Sequence, residues 1–289
     1  MKVCVLGAGG LLGHMLIRTL GESNDVYGTT RGTADESSTL AKFLPLDKWI
    51  GSVDVSNMRS VEELFEKKPF DVAINCIGLI KQRESQVSDS QMQQINAEFP
   101  HQLANIVNRA GAKLIHLSTD CVFSGSRGNY FETDEPNPTD IYGKSKLMGE
   151  INDNQNLTLR TSHIGRELSV KKSLVEWLIS QKNKKINGFS HAIYSGLTTK
   201  ELSQVIAKLL LCNSELVGLF HVSSAPISKL EIINKLNLLL ELKLSVNPDS
   251  SVQINRSLNS NKFQKLTGII PQSWDAMLSD FSKDQKTYD

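Results

Sequence analysis

Cysteine is scarce. The four residues Cys4, Cys76, Cys121 and Cys212 are scattered over 289 positions, which excludes a disulfide framework and a Cys-x-x-Cys metal site and points to a reducing, cytoplasmic setting without a bound metal. Charge of one sign is also lacking. With 32 Lys+Arg against 31 Asp+Glu the net charge is +1, so no global field gathers nucleic-acid backbones or anionic lipid, and neither nucleic acid nor a membrane is an expected partner. Long hydrophobic runs are missing too. The longest, such as residues 205–212 with Lys208 inside, fall short of the ~20 residues of a bilayer span. The opening stretch 1–20 carries Lys2 ahead of apolar residues, but glycines, His14 and Arg18 interrupt it and no small-residue cleavage site follows, so it reads as mature chain. At 39% hydrophobic and 22% charged residues the chain is too apolar for disorder, and its length suits one large domain or two unequal ones.

Short β-rich runs alternate with helical patterns through the first half, as in repeated βαβ units. Strands are predicted at 2–6, 26–29, 49–55, 72–77, 113–117 and 157–161. Helices fall between them, at 11–20, around Val61, Leu64 and Phe65, at 91–110 on an Ile95, Phe99, Leu103, Ile106 and Val107 stripe, and from Tyr142 after a turn-rich loop at 124–140. The predicted class is α/β: a doubly wound parallel sheet, Rossmann-like, over residues 1–161, with a smaller α/β substrate lobe over 162–289 that exchanges segments with the first domain. In that lobe the regular alternation fades, leaving helices at 174–181, 200–211, 229–240 and 274–281 among short extended pieces. His116 and His221 read as core histidines.

Gly7, Gly10 and Gly13 form a G-x-x-G-x-x-G pattern between the first strand and the first helix. Glycine there allows the tight turn and close backbone approach to a pyrophosphate, and the helix N-terminus supplies free N–H groups. The stricter G-x-G-x-x-G spacing fails, because Leu12 occupies its third place. After the second strand the chain reads Thr29-Thr30-Arg31, where NAD-binding folds place an acid on the ribose diol. Hydroxyls followed by a guanidinium suit a 2′-phosphate, which favours NADPH over NADH. Asp54-Val55 stands where such folds touch adenine, although an acid after a strand is also an ordinary helix cap.

Tyr142 and Lys146 lie four apart at the start of a helix, on one face, and Thr119 ends the fifth strand. Reduction of a carbonyl needs a proton donor at oxygen, and a phenol serves when a nearby cation lowers its pKa from ~10. Lys146 is expected to do this while binding the nicotinamide ribose, with the Thr119 hydroxyl holding the substrate oxygen.

These motifs, together with NCIG at 75–78, INAEFP at 95–100, the block HLSTDCVFSGSRGNYFETDEPNPTDIYGKSKLMGE at 116–150, LTLRTSHIG and RSLNSNKF, resemble the extended short-chain dehydrogenase/reductases, and within them the dTDP-4-dehydrorhamnose reductase (RmlD-like) branch. The resemblance implies an oxidoreductase that uses NADPH to reduce the 4-keto group of a nucleotide-activated 6-deoxy sugar for surface polysaccharides such as O-antigen. It implies a catalytic set of Thr119, Tyr142 and Lys146, with Asn96 ordering the active-site helix. Cofactor contacts are implied for the loop Gly7, Gly9, Gly10, Leu11, Leu12 and Gly13, then Arg31, Asp54, Val55, Cys76, Ile77, Gly78, Thr161 and His163, besides Tyr142 and Lys146. Substrate contacts are implied for Thr119, Asp120, Cys121, Arg160, Ser195, Thr198 and Arg256. The wider family implies a homodimer.

The chain departs from that pattern at Cys121, where rhamnose-type reductases carry tyrosine and epimerase-reductases of the GDP-fucose synthase kind carry an acid/base cysteine. A reactive thiolate there would add proton exchange beside the ketone; a small residue at a strand end is the plainer reading. A reading from another class is a non-catalytic, NADP-binding regulatory subunit, like the β subunit of methionine adenosyltransferase. The intact Thr119, Tyr142 and Lys146 set disfavours it.

Overall fold

The computed structural model describes residues 1–80, 87–169 and 171–288. Apolar strands built for burial on both faces assemble a seven-stranded sheet from β1 (Lys2–Leu6), β2 (Asp25–Thr29), β3 (Trp49–Ile50), β4 (Val72–Asn75), β5 (Lys113–Thr119), β6 (Leu157–Thr161) and β10 (Gly218–His221), in the order β10-β6-β5-β4-β1-β2-β3. Every pairing in it is parallel. Side chains alternate across each strand. Val3 and Val5 therefore enter one buried layer with Ile74, Ile115, Leu117, Leu157 and Leu159, while Cys4 and Leu6 enter the other with Ala73 and Leu114. Helices α1 (Gly13–Leu20) and α7 (Thr199–Cys212) cover the first face, and α2 (Met58–Lys67) and α4 (Phe99–Arg109) the second. The third strand is shorter than predicted. It stops at Ile50, beyond which Asp54 and Ser56 close a turn into α2.

The long helix predicted at 91–110 is three pieces: α3 (Asp89–Gln93), a π-helical turn (Gln94–Glu98) and α4. Such insertions are frequent at functional sites, and this one carries the buried Asn96. Helix α5 (Ile141–Met148) begins at Asp140, whose side chain caps it by accepting from the Gly143 N–H at 2.7 Å.

In the C-terminal part, helices α6 (Leu174–Ser180), α8 (Lys229–Leu239) and α10 (Trp274–Lys283) lie near their predicted positions. Helix α9 (Asn261–Thr267) and the strands β8 (Lys185–Tyr194) and β12 (Ser245–Asn255) were not anticipated at that length. With β11 (Ile227–Ser228) these strands form a separate sheet, β11-β8-β12. Strands β7 (His163–Ile164) and β9 (Leu197–Thr198), on either side of β8 in sequence, form a separate two-stranded parallel pair. Strand β10, late in the chain, returns to the large sheet beside β6. Among the described residues, no helix is long and apolar enough to cross a membrane.

Candidate active site

Strand order reverses between β1 and β4, and in open α/β sheets ligands bind at such a crevice beyond the carboxyl ends of the strands. Gly7, at φ +85°, follows β1 there, and a β-carbon on it would lie 2.9 Å from Ile77 in the loop after β4. A β-carbon on Gly13 would lie 2.2 Å from the Gly7 carbonyl oxygen, so glycine is what lets α1 start against the strand. Gly9 faces open space. The N-terminus of α1 has no side-chain cap from Leu12, leaving its N–H groups turned toward the crevice.

Thr29 and Thr30 belong to the fold. Thr29 Oγ1 accepts from the Gly7 N–H, while Thr30 Oγ1 donates to the Gly32 carbonyl and accepts from Trp49 Nε1 at 2.7 Å. Arg31 is exposed and within electrostatic reach of Asp54. Asp54 Oδ1 is engaged by the Ser56 N–H and hydroxyl, which hold the carboxyl below its usual range more than Arg31 does. These contacts close a turn ahead of α2, whose N-cap is Asn57, so Asp54 is not the helix cap weighed for it in the sequence. Val55 packs on the second core layer. Cys76 and Ile77 are half-buried and Gly78 is exposed along the β4 loop; burial pushes the Cys76 thiol up to about 12.

Thr119 ends β5 and is buried. Its hydroxyl donates to Asp120 Oδ1 at 3.1 Å, accepts from the Cys121 N–H at 3.2 Å, and is hydrogen-bonded to the Tyr142 phenol. Burial, with Cys121, Asp120 and Asp140 nearby, drives the Tyr142 pKa upward. The expected lowering toward neutrality by Lys146 is not what this structure shows. The Lys146 ammonium, buried one helical turn on, donates to the Leu117 carbonyl at 2.7 Å. Burial lowers Lys146 to about 8, partly offset by Glu150.

A stability test follows from that depressed pKa. Between pH 8 and the free-lysine pKa of about 10.5 the unfolded chain holds a proton that the folded chain releases, so stability rises with pH in that window. Below pH 8 the full burden of the buried ammonium remains. Lys146→Met is expected to be more stable than wild type at pH 7 by roughly 2 kcal/mol, after allowance for the lost Leu117 hydrogen bond. Urea unfolding at pH 7 and 9.5 should show the gap narrowing at the higher pH, and a gap that widens would contradict this account.

Asn96 joins three elements. Its Oδ1 accepts from the Leu79 N–H at 2.8 Å and its Nδ2 donates to the Leu79 carbonyl at 2.9 Å and to Ser145 Oγ at 3.1 Å. It thereby fixes the loop after β4 against α5, with Gly149 so close that a β-carbon would meet the Asn96 carbonyl oxygen at 1.9 Å. This is a positioning role. Thr161 is buried at the end of β6, and beyond it His163 is held near a pKa of about 4 by burial and Lys146. The buried His163 Nδ1 has no hydrogen-bond partner among the described residues.

Around the strand end, Cys121 Sγ accepts from Arg256 Nη1 at 3.5 Å, and Arg256 Nε donates to the Phe123 carbonyl at 2.9 Å. Asp140 Oδ2 lies 3.9 Å from Arg256. Burial and Asp120 push the Cys121 thiol up to about 12, which opposes a resting thiolate.

Three residues implied as substrate contacts have structural partners instead. Arg160 makes a two-pronged ion pair with Glu150, both contacts at 2.7 Å with the side chains 5% and 7% exposed, and its Nη1 bonds His221 Nε2 at 3.3 Å. Ser195 Oγ accepts from the Leu258 N–H at 2.9 Å. Thr198 caps α7 by accepting from the Glu201 N–H at 3.2 Å. Glu150 went unnoticed in the sequence, although its place four residues after Lys146 was a readable signal. Among the described residues, no group of three or more His, Cys, Asp or Glu side chains is placed to hold a metal.

The family model for the RmlD substrate binding domain matches residues 1–287. The chain belongs to the RmlD family. Members similar to it include the spore coat polysaccharide biosynthesis protein SpsK of Bacillus subtilis, 29% identical over 236 residues covering 78% of this chain and 74% of that protein. The probable low-salt glycan biosynthesis reductase Agl14 of Haloferax volcanii is 34% identical over 151 residues, 52% of this chain. That match spans about half of the archaeal protein, 48% of its length. Among solved structures, a dTDP-4-dehydrorhamnose reductase from Bacillus anthracis in complex with NADP superposes with a TM-score of 0.79 at 26% identity, over 98% of this chain and 99% of that one. The doubly wound parallel sheet is thus shared with RmlD structures along the whole chain.

Proposed function

We propose that this RmlD family member is an NADPH-dependent reductase of the 4-keto group of a nucleotide-activated 6-deoxy sugar, supplying precursors of surface polysaccharide. The observation that carries the reading is the half-buried Tyr142 phenol, held protonated and hydrogen-bonded to Thr119 at the strand end, with Lys146 one turn further along α5.

The residues present fit a dinucleotide: an uncapped helix N-terminus, open space at Gly9 and an unpartnered His163 Nδ1 in the described structure. The Gly7–Gly13 loop would hold the pyrophosphate, Arg31 the 2′-phosphate, and Lys146 and His163 the nicotinamide end. When bound, NADPH supplies the hydride to the carbonyl carbon. Tyr142 gives its proton to the carbonyl oxygen, so a raised pKa keeps the acid loaded until oxygen becomes basic. Thr119 and Asp120 orient that oxygen through the hydroxyl pair, and Arg256 and Cys121 line the approach from the C-terminal part. Residues 1–161 serve mainly the cofactor and 162–289 mainly the sugar nucleotide. We place the enzyme in the cytoplasm, as a homodimer through α4 and α5.

The test is oxidation of NADPH and of NADH against dTDP-, UDP- and GDP-4-keto-6-deoxy sugars. Consumption of NADPH, faster than NADH, with one nucleotide is expected. Silence across the panel with NADPH binding intact would favour the regulatory-subunit reading. Epimerisation through Cys121 is not favoured, because the thiol is held protonated.

A further inference from the structure

The segment after α10 returns to the start of the fold. His14, in the first turn of α1 and fully buried, bonds the Gly10 carbonyl through Nδ1 at 2.8 Å and the Tyr288 hydroxyl through Nε2 at 2.8 Å. Both partners decide the tautomer. A carbonyl only accepts, so Nδ1 carries the hydrogen and Nε2 must accept from the phenol. Burial holds the ring below its usual pKa, in keeping with this neutral form. The ring sits edge-on to Phe43 and to Tyr288, with centroids 5.1 and 5.6 Å away.

Tyr288 is itself anchored. The Arg166 guanidinium lies 5.1 Å from the centre of its ring, while Arg166 donates to Glu176 at 2.6 Å and to Gln285 at 2.7 Å. Asp284 pairs with Arg18 of α1 at 3.3 Å and with Lys200 of α7 at 3.0 Å. Segment 284–288 therefore holds together α1, α7 and the stretch three residues beyond His163. A relay of two hydrogen bonds links it to the glycine loop, where Gly10 in turn donates its N–H to the Gly7 carbonyl at 3.0 Å.

We propose that His14 and Tyr288 are positioning residues for the glycine loop: the relay from the Tyr288 hydroxyl through His14 to the Gly10 carbonyl sets the loop for the phosphates of a dinucleotide. Cofactor affinity is thereby tied to segment 284–288. The inference rests on the dinucleotide reading of that loop given above.

Tyr288→Phe tests it, since the ring and its stacking remain and only the hydroxyl goes. In the variant, Nε2 loses its donor and the tautomer that serves Gly10 is no longer imposed. The expected result is a Kd for NADPH about fivefold weaker, the worth of one net hydrogen bond, followed by nicotinamide fluorescence. KM for NADPH should rise in step, while kcat and the KM for the sugar nucleotide stay unchanged at saturating NADPH. Without cofactor, amide exchange at residues 9–13 should quicken. Equal NADPH affinity in wild type and variant would overturn the proposal alone. Weakening of NADPH and sugar together with a lower Tm would also overturn it, by showing a general structural role. Failure of wild type to bind NADPH would overturn the dinucleotide reading and the proposal with it.

Discussion

Tyr142→Phe is expected to lower kcat by about 10²- to 10⁴-fold, the span typical for loss of a positioned general acid, with little change in NADPH affinity or stability. The substitution removes the phenolic proton beside Thr119. It leaves the rest of the pair supplied, because Thr119 Oγ1 still accepts from the Cys121 N–H and donates to Asp120. The ring stays on α5, whose Asp140 cap and Ser145–Asn96 bond do not involve the phenol. Steady-state rates with the active sugar nucleotide, alongside NADPH titration, separate chemistry from binding. Near-normal turnover in the variant would remove Tyr142 from the mechanism and shift attention to Asp120, whose pKa burial also raises.

The large sheet was legible because its strands are written in residues that only a doubly covered sheet can hide. Lys2–Leu6 and Val72–Asn75 are buried along nearly their whole length, and the glycines between β1 and α1 punctuate the first crossover. The second sheet was not. Strand β12 is polar, with Asp249 and Ser251 among its residues, and has no fully buried position, while β8 does alternate but fills its buried places with Ile186, Gly188, Ala192 and Tyr194, two of them too small to mark an apolar period. Their pairing joins segments about sixty residues apart, so no local pattern announces it. Nor could periodicity reveal the π turn at Gln94–Glu98. One extra residue in a turn leaves the apolar stripe on either side intact while rotating Asn96 inward.

The site divides in the same way. Thr119, Tyr142 and Lys146 were found because their spacing and strand-end position express chemistry. What burial does to them was not written there: the upward shift of Tyr142 comes first from burial of the phenol and then from Cys121, Asp120 and Asp140 converging in space. Arg160, implied as a substrate contact, is placed by alternation on a face where it needs a partner of its own. Leu157 and Leu159 enter the layer beneath α1 and α7, so Thr158 and Arg160 face the opposite way, where Ser118 and Glu150 wait. A charge so placed within a central strand needs a buried partner.

That partner gives the largest expected effect on stability. Glu150→Gln should destabilise the folded chain by about 3–5 kcal/mol, the usual result of removing one side of a buried ion pair. The Arg160 guanidinium would keep its 3.3 Å contact to His221 and its place 5.2 Å from the Phe123 ring centre, but neither neutralises it. His221 has no charge to offer, being held neutral down to a pKa of about 3 by burial and by Arg160 itself. Lys146 would suffer too, since Glu150 is the largest influence opposing its loss of a proton. Urea unfolding at pH 7 measures the effect. The double variant Glu150→Gln with Arg160→Met should recover much of the loss, because the unpaired cation leaves with the second change. In that double variant, sugar-nucleotide KM should match wild type if Arg160 serves the fold alone. A raised KM with stability restored would return Arg160 to the substrate site.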